Sequence, residues 1–281
     1  MIAICPNPYR DTGLKYTRRA LELLSAEGEE CRVCPVFAES GDDTLPADIE
    51  YGSISELGEE CSLIIVIGGD GTILSVVRSL KGRSIPLLGV NLGTKGFMTA
   101  LEEDELERIV DAARGQYSVS ERMMLDITIE RDGEIVCRDL ALNDAVIHGY
   151  GECITITAYC DSDLMIRYSG DGVIVATPTG STGYSMSAGG PIVEPEASAF
   201  ILTPICAHAM GAKPFVLGTK KLITVTTEKL HSRRAYLSVD GNTVLDLASG
   251  DKMTIRRSEH NVLMARVGNK SFFETAFEKL S

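Results

Sequence analysis

Five consecutive residues near position 70 have the types and spacing that could do chemistry in this sequence. They are Gly68, Gly69, Asp70, Gly71 and Thr72. An unbroken apolar run at 63–67 precedes them, and apolar residues at helical spacing follow, so the turn joins a buried strand to a helix. Glycines let a ligand approach the backbone closely, and the free N–H groups of a helix start attract anions. A phosphate group therefore fits this turn.

Asp70 adds a carboxylate to a turn that otherwise suits a phosphate. A site that only holds phosphate gains nothing from a second anion. The carboxylate therefore indicates a reaction at a hydroxyl group or the binding of a metal ion. The alternative is that Asp70 or Thr72 caps the helix and that Asp-Gly is ordinary turn chemistry. The double glycine and the buried strand in front of it favour the chemical interpretation.

A second stretch rich in glycine and hydroxyl groups lies at 168–193. It contains Gly-Asp-Gly at 170–172 and Thr-Pro-Thr-Gly-Ser-Thr-Gly-Tyr at 177–184. Such residues can hydrogen-bond to sugar hydroxyls and amides with little steric obstruction. Taken alone, this stretch could also be a serine-rich loop on any β domain.

The elements that position the first turn alternate between strands and helices. Apolar runs that predict strands lie at 2–5, 31–37, 63–67 and 86–90. The turn at 68–72 and a second glycine-rich turn at 91–97 both follow predicted strands, and ligands bind at that edge of open α/β sheets. We predict that residues 1–115 form an α/β nucleotide-binding domain, Rossmann-like with a mostly parallel sheet.

The pattern changes near Tyr117 to alternating apolar and polar residues, which predicts an all-β domain of antiparallel strands over 116–258. Ser271 and Glu274 have capping-box spacing and predict a C-terminal helix. A lone helix after an all-β stretch needs an apolar surface to cover. We therefore expect residues 259–281 to return to the first domain and complete it.

Composition and charge exclude several classes of protein. The 44% hydrophobic and 24% charged residues are typical of a globular protein. The net charge of −13 makes binding to nucleic acid or to an anionic membrane surface unfavourable. No apolar run has membrane-spanning length, and the first residues lack a signal-peptide pattern. We expect a cytoplasmic protein with neither nucleic-acid nor membrane partners.

The cysteines raise one further question about chemistry. Cys31 and Cys34 have the two-residue spacing of a zinc or redox pair, but no second such pair follows among the eight cysteines. We expect reduced, structural cysteines.

Taken together, the segments resemble the NAD kinase family. The matching segments lie at 68–72, 91–97, 121–125, 142–144, 168–193 and 204–208. The resemblance implies transfer of the terminal phosphoryl group of ATP, or of polyphosphate, to the 2′-hydroxyl of the adenosine ribose of NAD, which makes NADP. It also implies a divalent cation, Mg²⁺ in the first place, and a homo-oligomer, either a dimer or a tetramer.

The resemblance also implies roles for individual residues. Asp70 would orient and deprotonate the ribose hydroxyl, with Gly68, Gly69, Gly71 and Thr72 at the nucleotide. The implied dinucleotide site in the β-rich domain consists of Asn143, Asp144, Asp171, Thr182, Gly183, Tyr184 and Ser187. No protein side chain is assigned as a metal ligand.

This sequence departs from the family pattern at a few positions. Asp144 stands where glutamate is commoner, and Lys95 stands where an apolar residue is commoner. His208 follows an alanine instead of the usual proline, so its role stays open. Arg122 and Lys213 are candidate phosphate partners.

Two other functions remain as alternatives. A lipid or sugar kinase can share the Gly-Gly-Asp-Gly-Thr turn, but such an enzyme does not account for the segment at 177–184. A dinucleotide sensor without catalysis is the other, and the presence of Asp70, Asn143 and Asp144 disfavours it.

Overall fold

The computed structural model describes residues 1–38, 42–58, 60–93, 96–209, 211–227, 230, 233–268 and 270–280. Lys95, one of the departures from the family pattern, lies outside these residues. The chain forms two compact units. The first unit comprises Met1–Glu121 and Val262–Ser281, and the second comprises Arg122–Asn261.

The first unit contains short parallel strands and the helices between them. In chain order its first elements are β1 (Ile2–Pro6), α1 (Lys15–Ala26), β2 (Cys31–Val33), β3 (Leu63–Gly68), α2 (Asp70–Leu80), β4 (Leu87–Asn91), β5 (Leu101–Glu102) and α3 (Ile109–Ala113). Short 3-10 helices occur at Thr12–Leu14, Ile54–Glu56 and Glu103–Arg108. Strand β1 pairs in parallel with β2 and β3, and β3 pairs in parallel with β4.

Burial explains why these segments are strands. All residues of β1, β3 and β4 are buried, as expected for a sheet covered on both faces. Strand β2 ends at Val33, four residues earlier than the apolar run predicted. Beyond this point Cys34 N–H and Val36 N–H still donate to the carbonyl oxygens of Ile4 (2.8 Å) and Pro6 (3.0 Å), so the chain continues alongside β1.

The remaining elements are mostly antiparallel strands. They are β6 (Ser118–Arg131), β7 (Glu134–Ala141), β8 (Asp144–Gly149), β9 (Ile154–Cys160), β10 (Asp163–Gly170), β11 (Gly172–Ala176), α4 (Tyr184–Ser187), β12 (Ala199–Ile205), β13 (Phe215–Gly218), β14 (Ile223–Thr227), β15 (Ala235–Val239), β16 (Asn242–Leu247), β17 (Lys252–Arg266) and α5 (Phe272–Leu280). A 3-10 helix at Gly180–Thr182 precedes α4.

A six-stranded antiparallel sheet organises the second unit, in the order β13-β12-β11-β8-β15-β16. Its register pairs Asp144 at the start of β8 with Ala176 at the end of β11. The same sheet pairs Ala145 with Val239 at the end of β15. The residues that flank these three strand ends are therefore brought together at one edge of the sheet.

The C-terminal helix belongs to the first unit, as predicted. In α5 the ring of Phe272 lies 6.3 Å from the ring of Phe97, and Lys279 Nζ lies 4.2 Å from the Phe97 ring. The predicted capping box is present, since Ser271 N–H donates to Glu274 Oε2 (2.7 Å) and Glu274 N–H donates to Ser271 Oγ (3.1 Å). The predicted fold class is thus confirmed.

In the part of the chain that the structure describes, no helix is both long enough and apolar enough to span a membrane.

Candidate active site

The glycine turn after β3 is built by close contacts that leave no room for larger side chains. A Cβ on Gly68 would lie 2.3 Å from Thr72 Oγ1, so that position requires glycine. Thr72 Oγ1 also accepts hydrogen bonds from Gly69 N–H and Asn7 Nδ2, each at 3.3 Å. These two hydrogen bonds to Thr72 thus stabilise the turn. Asp70 is the first residue of the helix that follows it, α2.

The carboxylate of Asp70 is held in one orientation by backbone N–H groups. Phe97 N–H donates to Asp70 Oδ2 (2.8 Å), and Met98 N–H donates to Asp70 Oδ1 (3.1 Å). A Cβ on Gly96 would lie 2.1 Å from Asp70 Oδ1, so only glycine lets this segment approach so closely. A carboxylate oxygen can accept more than one hydrogen bond, so each oxygen keeps capacity for a further donor.

Asp70 lines a cavity of about 310 Å³ within the first unit. Side chains in its wall include Asn7, Arg10, Asp70, Thr72, Asn91 and Lys279, together with glycines at 69, 71, 93 and 96. The volume lies at the lower end of the range for small-molecule sites. Polar side chains and glycine backbone in the wall suit a phosphate or a sugar better than an apolar chain.

Two positively charged side chains line the cavity together with the one carboxylate. Arg10 and Lys279 both line it, and each reaches it from a segment far from Asp70 in sequence. Arg122 and Lys213, the phosphate partners considered from the sequence, belong to the second unit and are not among the described residues that line the cavity. The sequence analysis missed Arg10 and Lys279.

The second group of predicted residues lies in the second unit, around the start of β8. Thr177 N–H donates to the carbonyl oxygen of Asn143 (2.8 Å), and Thr177 Oγ1 donates to that of Leu142 (2.5 Å). A Cβ on Gly180 would lie 2.1 Å from the Asn143 carbonyl oxygen. The turn at 177–183 therefore packs directly against Asn143 and needs glycine to do so.

This turn leaves polar atoms without partners. Among the described residues, Asn143 Oδ1 and Thr179 Oγ1 are buried side-chain oxygens that have no hydrogen-bond partner. A Cβ on Gly183 would lie 3.8 Å from Asn143 Nδ2, so the Asn143 side chain lies against this glycine. Unsatisfied buried polar groups cost free energy, about 1–3 kcal/mol each, so a ligand that supplies donors here is stabilised.

Tyr184 lies near the carboxyl groups of Asp171 and Asp144. Burial raises the pKa of Tyr184, and the nearby Tyr236, Cys206, Asp171 and Asp144 raise it further, so these groups share one region. The Tyr184 side chain is 41% exposed and accessible to a ligand.

The other predicted residues of the dinucleotide site include Asp171, Thr182 and Ser187. Asp171 Oδ1 accepts a hydrogen bond from Cys153 Sγ (3.7 Å), and Cys153 Sγ is 3.6 Å from His208 Nε2. Asp171 and His208 therefore both contact the Cys153 sulfur. Thr182 Oγ1 donates to the carbonyl oxygen of Thr179 (3.2 Å), and Ser187 ends α4, three residues after Tyr184.

Asp144 is buried next to a second carboxyl group. Its side chain is 6% exposed, and burial, followed by the negative charge of Asp240, raises the pKa of Asp144 to about 7. The sequence analysis missed Asp240. An Asp-Gly pair between two strand-like runs was the available signal, because that pair predicts a two-residue hairpin turn.

The Cys31 and Cys34 pair has no sign of chemistry. All eight cysteines are free, and burial raises the pKa of both Cys31 and Cys34 to about 11. Thiols that hold their protons so firmly are poor nucleophiles near neutral pH.

Comparison with known proteins identifies the family. The NAD kinase of Ruminiclostridium cellulolyticum is 34% identical over 282 residues, which are 99% of this chain and 97% of that protein. The models of the ATP-NAD kinase N-terminal and C-terminal domains match residues 2–114 and 142–267. The chain belongs to the ATP-NAD kinase family. The resemblance inferred from the sequence is therefore confirmed.

Solved structures agree with this family membership. The crystal structure of yeast NADH kinase, solved with NADH, has a TM-score of 0.86 at 23% identity and covers 99% of this chain and 86% of that one, which shows a shared fold. An NAD kinase from Archaeoglobus fulgidus, solved with ATP, has a TM-score of 0.76 at 29% identity and covers 100% of this chain and 98% of that one.

The NAD kinase resemblance implies a divalent cation, and the donor atoms present can be compared with that expectation. Among the described residues, no group of three or more His, Cys, Asp and Glu side chains is placed to hold a metal ion. Mg²⁺ bound with a nucleotide takes most of its ligands from phosphate and water and needs only one or two protein carboxylates. Asp70 offers one carboxylate in the first unit's cavity. The residues therefore fit a cation that enters with the nucleotide.

Proposed function

We propose that this protein is an NAD kinase that transfers the terminal phosphoryl group of ATP to the 2′-hydroxyl of the adenosine ribose of NAD. One observation carries the proposal. The Asp70 carboxylate is fixed by two backbone N–H groups in a glycine-lined cavity whose wall also contains Arg10 and Lys279. Membership of the ATP-NAD kinase family and the ATP bound to the Archaeoglobus fulgidus enzyme support ATP as the donor.

Asp70 has the chemistry that the transfer step needs. Phosphoryl transfer depends mainly on positioning and on stabilising charge, and the protein has little covalent work to do. The free hydrogen-bonding capacity of Asp70 accepts the ribose hydroxyl and aims its oxygen at the terminal phosphorus. As the new P–O bond forms and the bond to ADP breaks, the hydroxyl proton passes to the carboxylate.

Arg10 and Lys279 provide positive charge for the donor phosphates in this proposal. Both side chains line the same cavity as Asp70, where they offset the charge that an anionic nucleotide brings. The divalent cation bound with the nucleotide supplies further neutralisation of the phosphate oxygens. Because the whole chain carries a net charge of −13, this local positive charge is what attracts the nucleotide.

The residues around β8 bind the dinucleotide in this proposal. Asn143, Asp144 and Asp171 would hydrogen-bond to the sugars and the adenine end, and the turn at 182–184 with Ser187 would form the surrounding wall. The unsatisfied oxygens of Asn143 and Thr179 support this assignment, because a sugar or an adenine amino group can donate to them.

The KM for NAD is expected to fall about tenfold as the pH rises from 6 to 8. Burial and the charge of Asp240 raise the pKa of Asp144 to about 7. The ionised fraction of Asp144 thus rises from about one tenth at pH 6 to about nine tenths at pH 8, and the ionised carboxylate is the better acceptor for a sugar hydroxyl of NAD.

Initial-rate measurements at constant ionic strength check this prediction. The KM for ATP serves as the internal control, and the Asp144→Asn variant should show a flat profile. A KM for NAD that stays constant or rises over this range would remove Asp144 from ribose binding.

The Lys279→Met variant is expected to raise the KM for ATP about fivefold, with little change in the KM for NAD. The substitution keeps most of the side-chain volume and removes one cavity charge, and a solvent-exposed ion pair is worth up to about 1 kcal/mol. Lys221→Met is the matched control, because Lys221 pairs with Asp161 on the surface of the second unit. A rise in the KM for NAD alone would place Lys279 at the acceptor instead.

An acceptor panel tests the proposed function directly. Purified protein with ATP labelled at the terminal phosphate and Mg²⁺ is offered NAD, NADH, a diacylglycerol and sphingosine, and polyphosphate replaces ATP in parallel. We expect label in NAD or NADH and none in the lipids. Label in a lipid would favour the lipid kinase, and tight binding of NAD without any transfer would favour the sensor.

We also propose that the enzyme is a cytoplasmic homo-oligomer, either a dimer or a tetramer. The resemblance to the NAD kinase family is what supports this proposal. Light scattering on the purified protein measures the mass directly, and a mass of 30.3 kDa, that of one chain, would contradict it.

A further inference from the structure

The hairpin turn between β15 and β16 places the carboxylate of Asp240 against the start of β8. Val239 pairs with Asn242, so the loop has two residues, Asp240 and Gly241. Their φ angles are 47° and 80°, the left-handed values that a type I′ turn needs at both central positions. Asp-Gly is a favoured pair for this turn, and the Asp240 side chain here has a specific set of partners.

Those partners are three consecutive backbone N–H groups. Asp240 Oδ2 accepts from Leu142 (2.9 Å), and Asp240 Oδ1 accepts from Asn143 (2.7 Å) and Asp144 (3.0 Å). In return, Asp240 N–H donates to the carbonyl oxygen of Asp144 (3.0 Å). Four hydrogen bonds therefore fix the backbone from which the Asn143 and Asp144 side chains project.

The charge of Asp240 acts on the same segment. Two neighbouring buried carboxyl groups do not both ionise easily, and hydrogen bonds from N–H groups favour the ionised form of the group that accepts them. Burial raises the pKa of Asp240, the negative charge of Asp139 adds to the rise, and the three N–H groups oppose it. Asp144 faces Asp240 and Tyr184, and its pKa is raised to about 7 by burial and Asp240.

We propose that Asp240 is the positioning residue of the dinucleotide site, which holds Asn143 and Asp144 in place and sets the charge state of Asp144. This inference rests on the proposed function, since it assumes that Asn143 and Asp144 bind NAD. Asp240 itself touches no substrate in this account. It acts through the backbone of 142–144 and through its charge.

The Asp240→Asn variant separates these effects from simple loss of stability. An amide oxygen can still accept from Asn143 and Asp144, but its NH₂ group faces the N–H of Leu142 and the charge is lost. We expect the KM for NAD to rise about tenfold, with the KM for ATP within about twofold. The midpoint of the pH profile of the KM for NAD should move to lower pH, because the repulsion on Asp144 is gone.

Asp251→Asn is the matched control. Asp251 is also a buried carboxylate of the second unit, bonded to Ala248 N–H (2.9 Å) and Arg131 Nη2 (2.7 Å). Its substitution removes the same charge at the other end of β16. We expect a lower Tm for this control, with the KM for NAD and the midpoint of its pH profile unchanged.

Two results would overturn the inference: an equal rise in both KM values, or an unshifted pH midpoint in Asp240→Asn. If that variant does not fold, carboxyl ¹³C NMR titration of the wild type decides, with Asp144 expected to titrate near pH 7 and Asp240 at lower pH. The reverse order overturns the inference. Failure of the proposed function looks different, because the wild type then forms no NADP.

Discussion

The Asp70→Asn variant is expected to lose about 10³-fold in kcat for NADP formation while the KM values for NAD and ATP change by less than about threefold. Asparagine keeps the shape of the side chain and one of its two acceptor oxygens, so one of the bonds from Phe97 or Met98 survives. It cannot take the proton of the ribose hydroxyl, and a positioned base contributes typically 10²–10⁴-fold.

A matched control distinguishes this loss from damage to the fold. Asp11 is a fully buried carboxylate of the same unit that accepts N–H groups of Tyr16 and Thr17, each at 2.9 Å. Asp11→Asn should lower the Tm and leave kcat within about twofold. Steady-state kinetics with a sensitive NADP assay make the comparison. Normal turnover in Asp70→Asn would remove Asp70 from the mechanism.

The Asp144→Ala variant is expected to raise the KM for NAD about 10- to 100-fold and to leave the KM for ATP nearly unchanged. A hydrogen bond to a charged group contributes about 1.5–3 kcal/mol, and 1.4 kcal/mol corresponds to a factor of ten. The side chain is 6% exposed and lies beside the turn that packs on Asn143, so no water-filled surface compensates for its loss.

Asp161→Ala provides the comparison for Asp144→Ala. Asp161 is a surface carboxylate of the same unit that pairs with Lys221 at 2.7 Å, so its removal should change neither KM. Equal increases of the two KM values in Asp144→Ala would place Asp144 outside the dinucleotide site.

Local sequence patterns predicted the parts of the fold that local forces determine. The apolar run at 63–67 and the helical spacing after it fixed β3, α2 and the position of Asp70 between them. The neighbouring parallel strands β3 and β4 then explain why the segment at 96–98 can donate to Asp70, since both strands end at the same edge of the sheet.

Charges that reach the site from distant segments could not be predicted in the same way. Arg10 and Lys279 lie 60 or more positions from Asp70 along the chain and reach its cavity only through tertiary packing. Capping-box spacing predicted α5, but nothing in its sequence indicates which of its residues approaches the cavity. Basic residues chosen for their closeness to motifs, Arg122 and Lys213, belong to the other unit.

Asp240 shows a different limit of sequence analysis. Its Asp-Gly pair predicts a turn, yet such pairs occur on many protein surfaces, where the aspartate bonds to the backbone of its own turn. The register of β15 against β8 turns this ordinary signal into three bonds to the segment at 142–144. Register depends on the whole sheet, so the contact was beyond local reasoning.

The position of the transferred phosphate is the most direct test of the central claim. Purified protein is incubated with NAD, ATP and Mg²⁺, and the product is analysed by ³¹P NMR. We predict one new phosphomonoester on the 2′-oxygen of the adenosine ribose, which Asp70→Asn forms about 10³-fold more slowly. A phosphate on any other oxygen would contradict the account, and so would the absence of any phosphorylated dinucleotide with correctly folded protein.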